Sequence, residues 1–290
     1  MRVAVLSDIH GNHIALEKCM EEIERRKIQK LIFLGDYVGE LAYPQKTMAY
    51  LRKIMKKYEC NFIRGNKEDY WLDREHDQSI AWKEGDSTTG ALLYAYSNLN
   101  YDDISFFESL SHMKVISFDG LPAIAAYHGS HDSKGKKLGS NTDSSHILFR
   151  DTEESIILCG HTHIRNKILC ADRVLFNPGS VGVPLESNGV SQFLILSGEQ
   201  GKWQYEFVDV SYDIESVIQE LHEEDLYAKA PCWTRVTENL LRNGDISHGT
   251  VLSRAMQLLY NDTGKWCWPD IPEQYWERAI GELIDQEPFN

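Results

Sequence analysis

Five short segments carry side chains able to hold a metal ion: Asp8-Ile9-His10, Gly35-Asp36, Gly65-Asn66, His128 and Gly160-His161-Thr162-His163. Each follows a short apolar run and sits next to a turn. Asp8 and His10 are two residues apart, which puts both side chains on one side of an extended segment, within reach of one ion. His161 and His163 repeat that spacing. Gly35, Gly65, Gly129 and Gly160 allow the tight backbone a crowded site needs. Oxygen and imidazole donors without a thiolate suit Mn, Fe or Zn better than a soft ion. Alone, Asp8 would read as a turn residue and His128 as a core histidine. Their ordered recurrence after apolar runs is what points to metal chemistry.

The elements that must position these groups alternate in the first third of the chain. Val3–Leu6, Leu31–Leu34 and Asn61–Ile63 read as strands, and His13–Arg26 and Gln45–Lys57 as amphipathic helices. That rhythm predicts parallel strands with right-handed crossovers, whose ligands gather where strands end. From Glu68 to about Leu110 the pattern is helical. Strands resume at Lys114–Phe118, Ala123–Tyr127, Ser155–Cys159, Lys167–Ala171, Val174–Phe176, Phe193–Leu196 and Tyr205–Val210, with a polar loop between Ser130 and Ser145. Asp213–Glu224 reads as a helix. The expected division is a domain over residues 1–224 and a tryptophan-rich helical appendage over 225–290, packed on it.

Composition narrows the function. The 290 residues are 42% hydrophobic, enough for a sizeable core. With 44 acidic against 30 basic residues the formal charge is -14, which repels a phosphate polymer and argues against long nucleic acid as partner. A small phosphate-bearing substrate is still allowed, because bound cations invert the local sign. The six cysteines are scattered, with no C-x-x-C pair. Residues 1–10 carry no apolar leader, and no apolar run approaches the roughly 20 residues of a membrane span. A cytoplasmic protein with no membrane partner is expected, and a homodimer is the default oligomer.

The segments SDIHGN, LGDYVG, RGNKED, YHGS, CGHTH and NPGSVG, in that order from Ser7 to Gly182, resemble the calcineurin-like metallophosphoesterase superfamily. The resemblance implies a four-layer α-β-β-α sandwich with two divalent ions above the strand ends. It implies that Asp36 bridges both, that Asp8, His10 and His163 complete one site, and that Asn66, His128 and His161 complete the other. The implied activity is hydrolysis of a phosphodiester or phosphoanhydride by a hydroxide bridging the two ions, with Asp36, Asn66, Lys67 and His128 as the catalytic set. Many members have a histidine after G-N to protonate the leaving oxygen; here that position is Lys67, read as a donor or point charge toward phosphate or as pointing into water.

The chain is also similar to a bacterial phosphodiesterase-like branch that includes asymmetric diadenosine tetraphosphate hydrolases, through SDIHGN, NPGSVG and Tyr212-Asp213. Those relatives often carry Pro-Arg after H-G-S, where this chain has His131-Asp132. Asn12 is expected to cap the first helix and bring backbone N–H groups toward substrate phosphate, and His131 is a further substrate-binding candidate. His13 reads as a surface or capping residue. Asn177, Gly179 and Ser180 are expected to shape a turn beneath the metals. The tryptophans of the tail read as core before base-stacking platform. The competing functions are a protein-binding scaffold on a catalytically weak fold, a protein phosphatase and a nuclease.

Overall fold

Val3, Ala4, Val5 and Leu6 are completely buried, as a central strand covered on both faces requires. They belong to β1 (Arg2–Leu6), which pairs in parallel with β2 (Lys30–Phe33), itself parallel to β3 (Glu59–Phe62). The computed structural model describes residues 1–129, Phe149 and 152–285. The 130–145 loop, with His131, lies outside them.

A second sheet is built from β4 (Met113–Phe118), β5 (Leu121–Tyr127), β6 (Ile156–Leu158), β7 (Asn166–Cys170) and β8 (Arg173–Asn177), in the order β4-β5-β6-β8-β7. The hairpin β9 (Ser191–Glu199) and β10 (Lys202–Val210) returns to the first sheet, giving β10-β9-β1-β2-β3. The alternation along each strand divides the core. Val3, Val5, Ile32 and Leu194 meet Ile124, Ala126, Leu158 and Phe176 between the sheets. Ala4, Leu6, Phe33 and Ile195 face the other way, against helices. On the outer face of the second sheet Phe149, in helical conformation, packs with Tyr127, Ile157 and Leu175. The result is the expected α-β-β-α sandwich.

The helices on the first sheet are α1 (His13–Arg25), α2 (Pro44–Lys57), α3 (Asn66–His76), α4 (Gly90–Ser97) and α5 (Tyr101–Ser109). In α1 the residues Ala15, Leu16, Cys19, Met20 and Ile23 are buried, the stripe that helical spacing predicts. The C-terminal helices are α6 (Ile214–Glu223), α7 (Leu226–Lys229), α8 (Pro231–Asn243), α9 (His248–Thr263) and α10 (Glu273–Leu283). The last three share a cluster around Val236, Val251, Ala255, Trp276 and Ile280. Helices α7 and α10 are also pinned to the segment before α4. Gly85 N–H donates to the Lys229 carbonyl at 2.8 Å, Ser87 Oγ to Glu273 Oε2 at 2.6 Å, and Trp276 Nε1 to Thr88 Oγ1 at 3.1 Å. No helix among the described residues is long and apolar enough to cross a membrane.

Because β1, β2 and β3 run parallel, as do β5, β6 and β8, their C-terminal ends open on one edge of the sandwich. The turn after β8 is packed against the loop after β1: a Cβ on Gly182 would stand 1.8 Å from the Ile9 carbonyl oxygen. Gly182→Ala is therefore expected to lose about 2 kcal/mol and roughly 5 °C of melting temperature. In Gly281→Ala, where an added Cβ meets nothing within 4 Å in α10, the change is neutral to stabilising by up to about 1 kcal/mol. Thermal melts of the two variants side by side check this.

Candidate metal centre

The loop after β1 turns sharply at Asp8 and His10, whose φ angles are 55° and 52°. Asp36, His161 and His163 also adopt left-handed backbone, at 55°, 70° and 59°. Such conformations cost about 1–2 kcal/mol each outside glycine, and they collect at functional sites where surrounding bonds enforce them. Here those bonds run between loops. Asp8 N–H donates to the Gly35 carbonyl at 3.1 Å, His10 N–H to the Asp36 carbonyl at 2.9 Å, and His161 N–H to Asp8 Oδ2 at 3.0 Å. Ser7 Oγ donates to Asp8 Oδ2 at 2.5 Å.

Two groups of donor atoms converge. In the first, the side chains of Asp8, His10, Asp36 and His163 bring their ligand atoms within 4.8 Å of one another. His10 Nε2 lies 3.1 Å from His163 Nε2 and 3.4 Å from Asp36 Oδ2, and His163 Nε2 lies 3.2 Å from Asp8 Oδ1. In the second, His128 Nε2 lies 3.0 Å from Asn66 Oδ1, 3.2 Å from His161 Nδ1 and 3.4 Å from Asp36 Oδ1. All seven residues expected from the sequence as ligands come together. His10 Nδ1 donates to Glu40 Oε2 at 2.7 Å and His128 Nδ1 to the Leu34 carbonyl at 2.7 Å, which turns each Nε2 inward. Lone pairs so close repel unless a proton or cation stands between them, and the donor set is nitrogen and oxygen throughout. These residues fit divalent metal ions.

Where no cation stands between them, protons can do that work. Burial opposes charge on His10, but the Glu40 carboxylate and its neighbours outweigh it and push the imidazole up to about 10. His128 is pushed up to about 9 against burial, chiefly by Asp36. The His128 pairing brings Asp36 down to about 2, and His163, ahead of His10, holds Asp8 well below the usual carboxylate range despite burial. His161 moves the other way, down to about 3, through burial and the neighbouring His128 charge.

Two carboxylates that the sequence reading missed organise the centre. Glu68 accepts three backbone N–H groups, from Asp36 at 2.9 Å, Tyr37 at 2.9 Å and Gly65 at 2.7 Å, and so clamps the β2 and β3 turns together. Burial and the Asp36 charge push it up to about 7. Its position three residues after Gly65, at the start of α3, is the spacing of a helix capping box, which was visible in the sequence. Glu40 had no such signal. It links His10 to Lys67, whose ammonium it binds in a buried ion pair. Lys67 is thus 7% exposed, which corrects the reading that pointed it into water.

The remaining expectations sort by contact. Asn12 caps α1, accepting from Ala15 N–H at 3.0 Å, and donates through Nδ2 to the Gly182 carbonyl at 3.0 Å. His13 pairs with Glu220 at 2.9 Å, away from the centre. Asn177 donates to the Gly160 carbonyl at 2.8 Å and accepts from Gly179 N–H at 2.9 Å, and Ser180 Oγ donates to the Asp8 carbonyl at 2.7 Å, so that turn supports the ligand loops as expected. Beyond the ligands opens a cavity of about 750 Å³, walled partly by Trp233, His248 and Trp268 from the C-terminal helices and the segment joining them.

Residues 1–201 match the calcineurin-like phosphoesterase superfamily domain. The chain belongs to the calcineurin-like phosphoesterase superfamily. An uncharacterized protein of Methanocaldococcus jannaschii is 26% identical, over 76% of this chain and 91% of its own. Among solved structures, a hypothetical protein from Pyrococcus horikoshii OT3 superimposes with a TM-score of 0.71 at 22% identity, covering 85% of this chain and 99% of that one. A metallophosphoesterase from Sphaerobacter thermophilus gives 0.65 at 20% identity, covering 82% and 100%. Both share this fold.

Since an imidazole must be neutral to ligate, metal uptake near pH 7 is expected to expel one proton each from His10 and His128, with apparent affinity rising toward pH 9. Calorimetric titration of Mn²⁺ in buffers of different ionisation enthalpy reads the release directly. Glu40→Gln is expected to lower both the release and the affinity, the latter by about 10- to 100-fold. Uptake independent of buffer and pH would contradict the assignment.

Proposed function

We propose that the protein is a dinuclear metallohydrolase of small phosphodiesters or phosphoanhydrides, with nucleoside polyphosphates as the first substrates to consider. The observation that carries this reading is the placement of Asp36, which turns Oδ2 toward His10 and Oδ1 toward His128, each at 3.4 Å. One buried carboxylate thereby faces both donor groups, as a bridging ligand must. Asp8, His10 and His163 would hold one ion and Asn66, His128 and His161 the other. When bound, two divalent ions (Mn, Fe or Zn) would supply a water acidic enough to attack at neutral pH and positive charge for the phosphoryl oxygens.

Lys67 favours diesters and anhydrides over simple monoesters. Burial opposes its charge, but Glu40 holds the ammonium protonated above its ordinary value. A lysine so held is a poor acid near neutral pH, and it serves as a fixed positive charge toward phosphate oxygens. Substrates whose leaving groups need little protonation suit such a site. The acidic chain, at -14, disfavours long nucleic acid, and a cytoplasmic location and dimeric state complete the proposal.

Purified protein with Mn²⁺ is expected to hydrolyse bis-p-nitrophenyl phosphate faster than p-nitrophenyl phosphate. A chelator should abolish both activities, and Asn66→Ala should cut kcat at least about 100-fold. Folded protein inert toward both esters with Mn²⁺, Fe²⁺ and Zn²⁺ would overturn the reading in favour of a binding scaffold.

A further inference from the structure

The cavity that opens from His10, Asp36, Asn66, His161 and His163 is also walled by the aromatic side chains of Tyr70, Trp82, Trp233 and Trp268. At about 750 Å³ it lies within the roughly 300–1,000 Å³ of sites that enclose a small organic ligand, so it has room for more than a phosphoryl group. Residues 1–201 match the family domain, so Trp233 and Trp268 come from beyond it. We propose that this wall is a subsite for a planar heteroaromatic group of nucleobase size, carried by the phosphate ester that the metal centre cleaves; the proposal rests on the hydrolase reading above.

The rings are held in place before any ligand arrives. Trp82 is braced by Trp71 and Tyr96, each edge-on at 5.8 Å. Trp233 stacks on His248 at 4.4 Å and meets Trp276 edge-on at 5.8 Å. The Trp82 segment is tied to the segment after Trp268 by Lys83 and Asp270, 2.8 Å apart. Preorganised walls spare a ligand the cost of ordering them. Two rings keep large surface open: Tyr70 is 41% exposed and Trp268 is 55% exposed, although both line a cavity. Stacking covers such faces, and every nucleobase has a π-face to offer.

The aromatic lining favours a flat ring with a π-face over an alkyl chain, which offers no face to stack. The Lys67 ammonium lies 5.8 Å from the Tyr70 ring and 5.8 Å from the Trp233 ring. Lys67 follows the ligand residue Asn66 and is ion-paired with Glu40, which also holds His10, so the pair links the ligand cluster to these two rings.

The test uses the full chain and separates the subsite from the chemistry. Ligand-observed NMR titration of metal-free protein with adenosine, which has no phosphate, is expected to show saturable binding. Trp268→Ala, at an exposed ring whose loss leaves the core intact, should weaken it about tenfold. Cyclohexanol, apolar but not aromatic, should bind far more weakly than adenosine. With Mn²⁺, Trp268→Ala should raise KM for bis-p-nitrophenyl phosphate while kcat changes little. Adenosine binding that fails, that survives Trp268→Ala unchanged, or that cyclohexanol equals would overturn the subsite even if metal-dependent hydrolysis stands. Adenosine binding lost in Trp268→Ala, in a protein that hydrolyses no ester, would support the subsite and sink the hydrolase reading instead.

Discussion

The carboxylate of Asp36 is where the two halves of the centre meet. It is buried at the end of β2, on left-handed backbone, with one oxygen toward His10 and the other toward His128. Its own amide is taken by Glu68, and its Oδ1 also accepts the Lys67 amide at 2.9 Å, so helix α3 holds it as well. For both contacts to exist, the ends of β1, β2 and β3 must face those of β5 and β6 across the sandwich. The parallel pairing within each sheet and the apolar contact between them meet that condition. The fold is thus a device for bringing loops of distant sequence to one carboxylate.

Burying Asp8, Asp36, Glu40 and Glu68 within a few ångströms would be strongly unfavourable without opposing charge. Without bound ions, the raised basicity of His10 and His128 and the Lys67 ammonium oppose that charge. Divalent ions can replace the two imidazole protons but not the ammonium, which Glu40 keeps. Folding and metal binding are coupled in consequence: ions that bind the assembled loops and not the unfolded chain add their binding energy to stability. The left-handed turns at Asp8, His10, Asp36, His161 and His163 fit the same picture, since strain in the loops is offset by bonds that exist only in the assembled centre.

Much of this was legible in the sequence because the signals are local. Short apolar runs fixed the strands to within a few residues, and Asp8, His10, Asp36, Asn66, His128, His161 and His163 stood out as ligand types at strand ends. Asn12 and Asn177 announced a cap and a turn through their residue type. Other features depend on contacts across the fold. Glu40 looks like any surface acid until His10 and Lys67 are seen on either side of it. Lys67, in a segment rich in charged residues, gave no hint that it is buried. Glu68 was readable through its capping spacing, yet its grip on Asp36 depends on β2 and β3 lying side by side. The tryptophans of the tail divide in a way composition cannot foresee, with Trp276 fully buried, Trp233 in the cavity wall and Trp266 and Trp268 more than half exposed.

The central claim is that Asp36 joins two metal ions, and the most direct test is an anomalous difference map from crystals grown with Mn²⁺. The account predicts two peaks about 3.5–4 Å apart, one against Asp8, His10 and His163, the other against Asn66, His128 and His161, with Asp36 between them. A single peak at full occupancy, or two peaks with Asp36 touching only one, would contradict it.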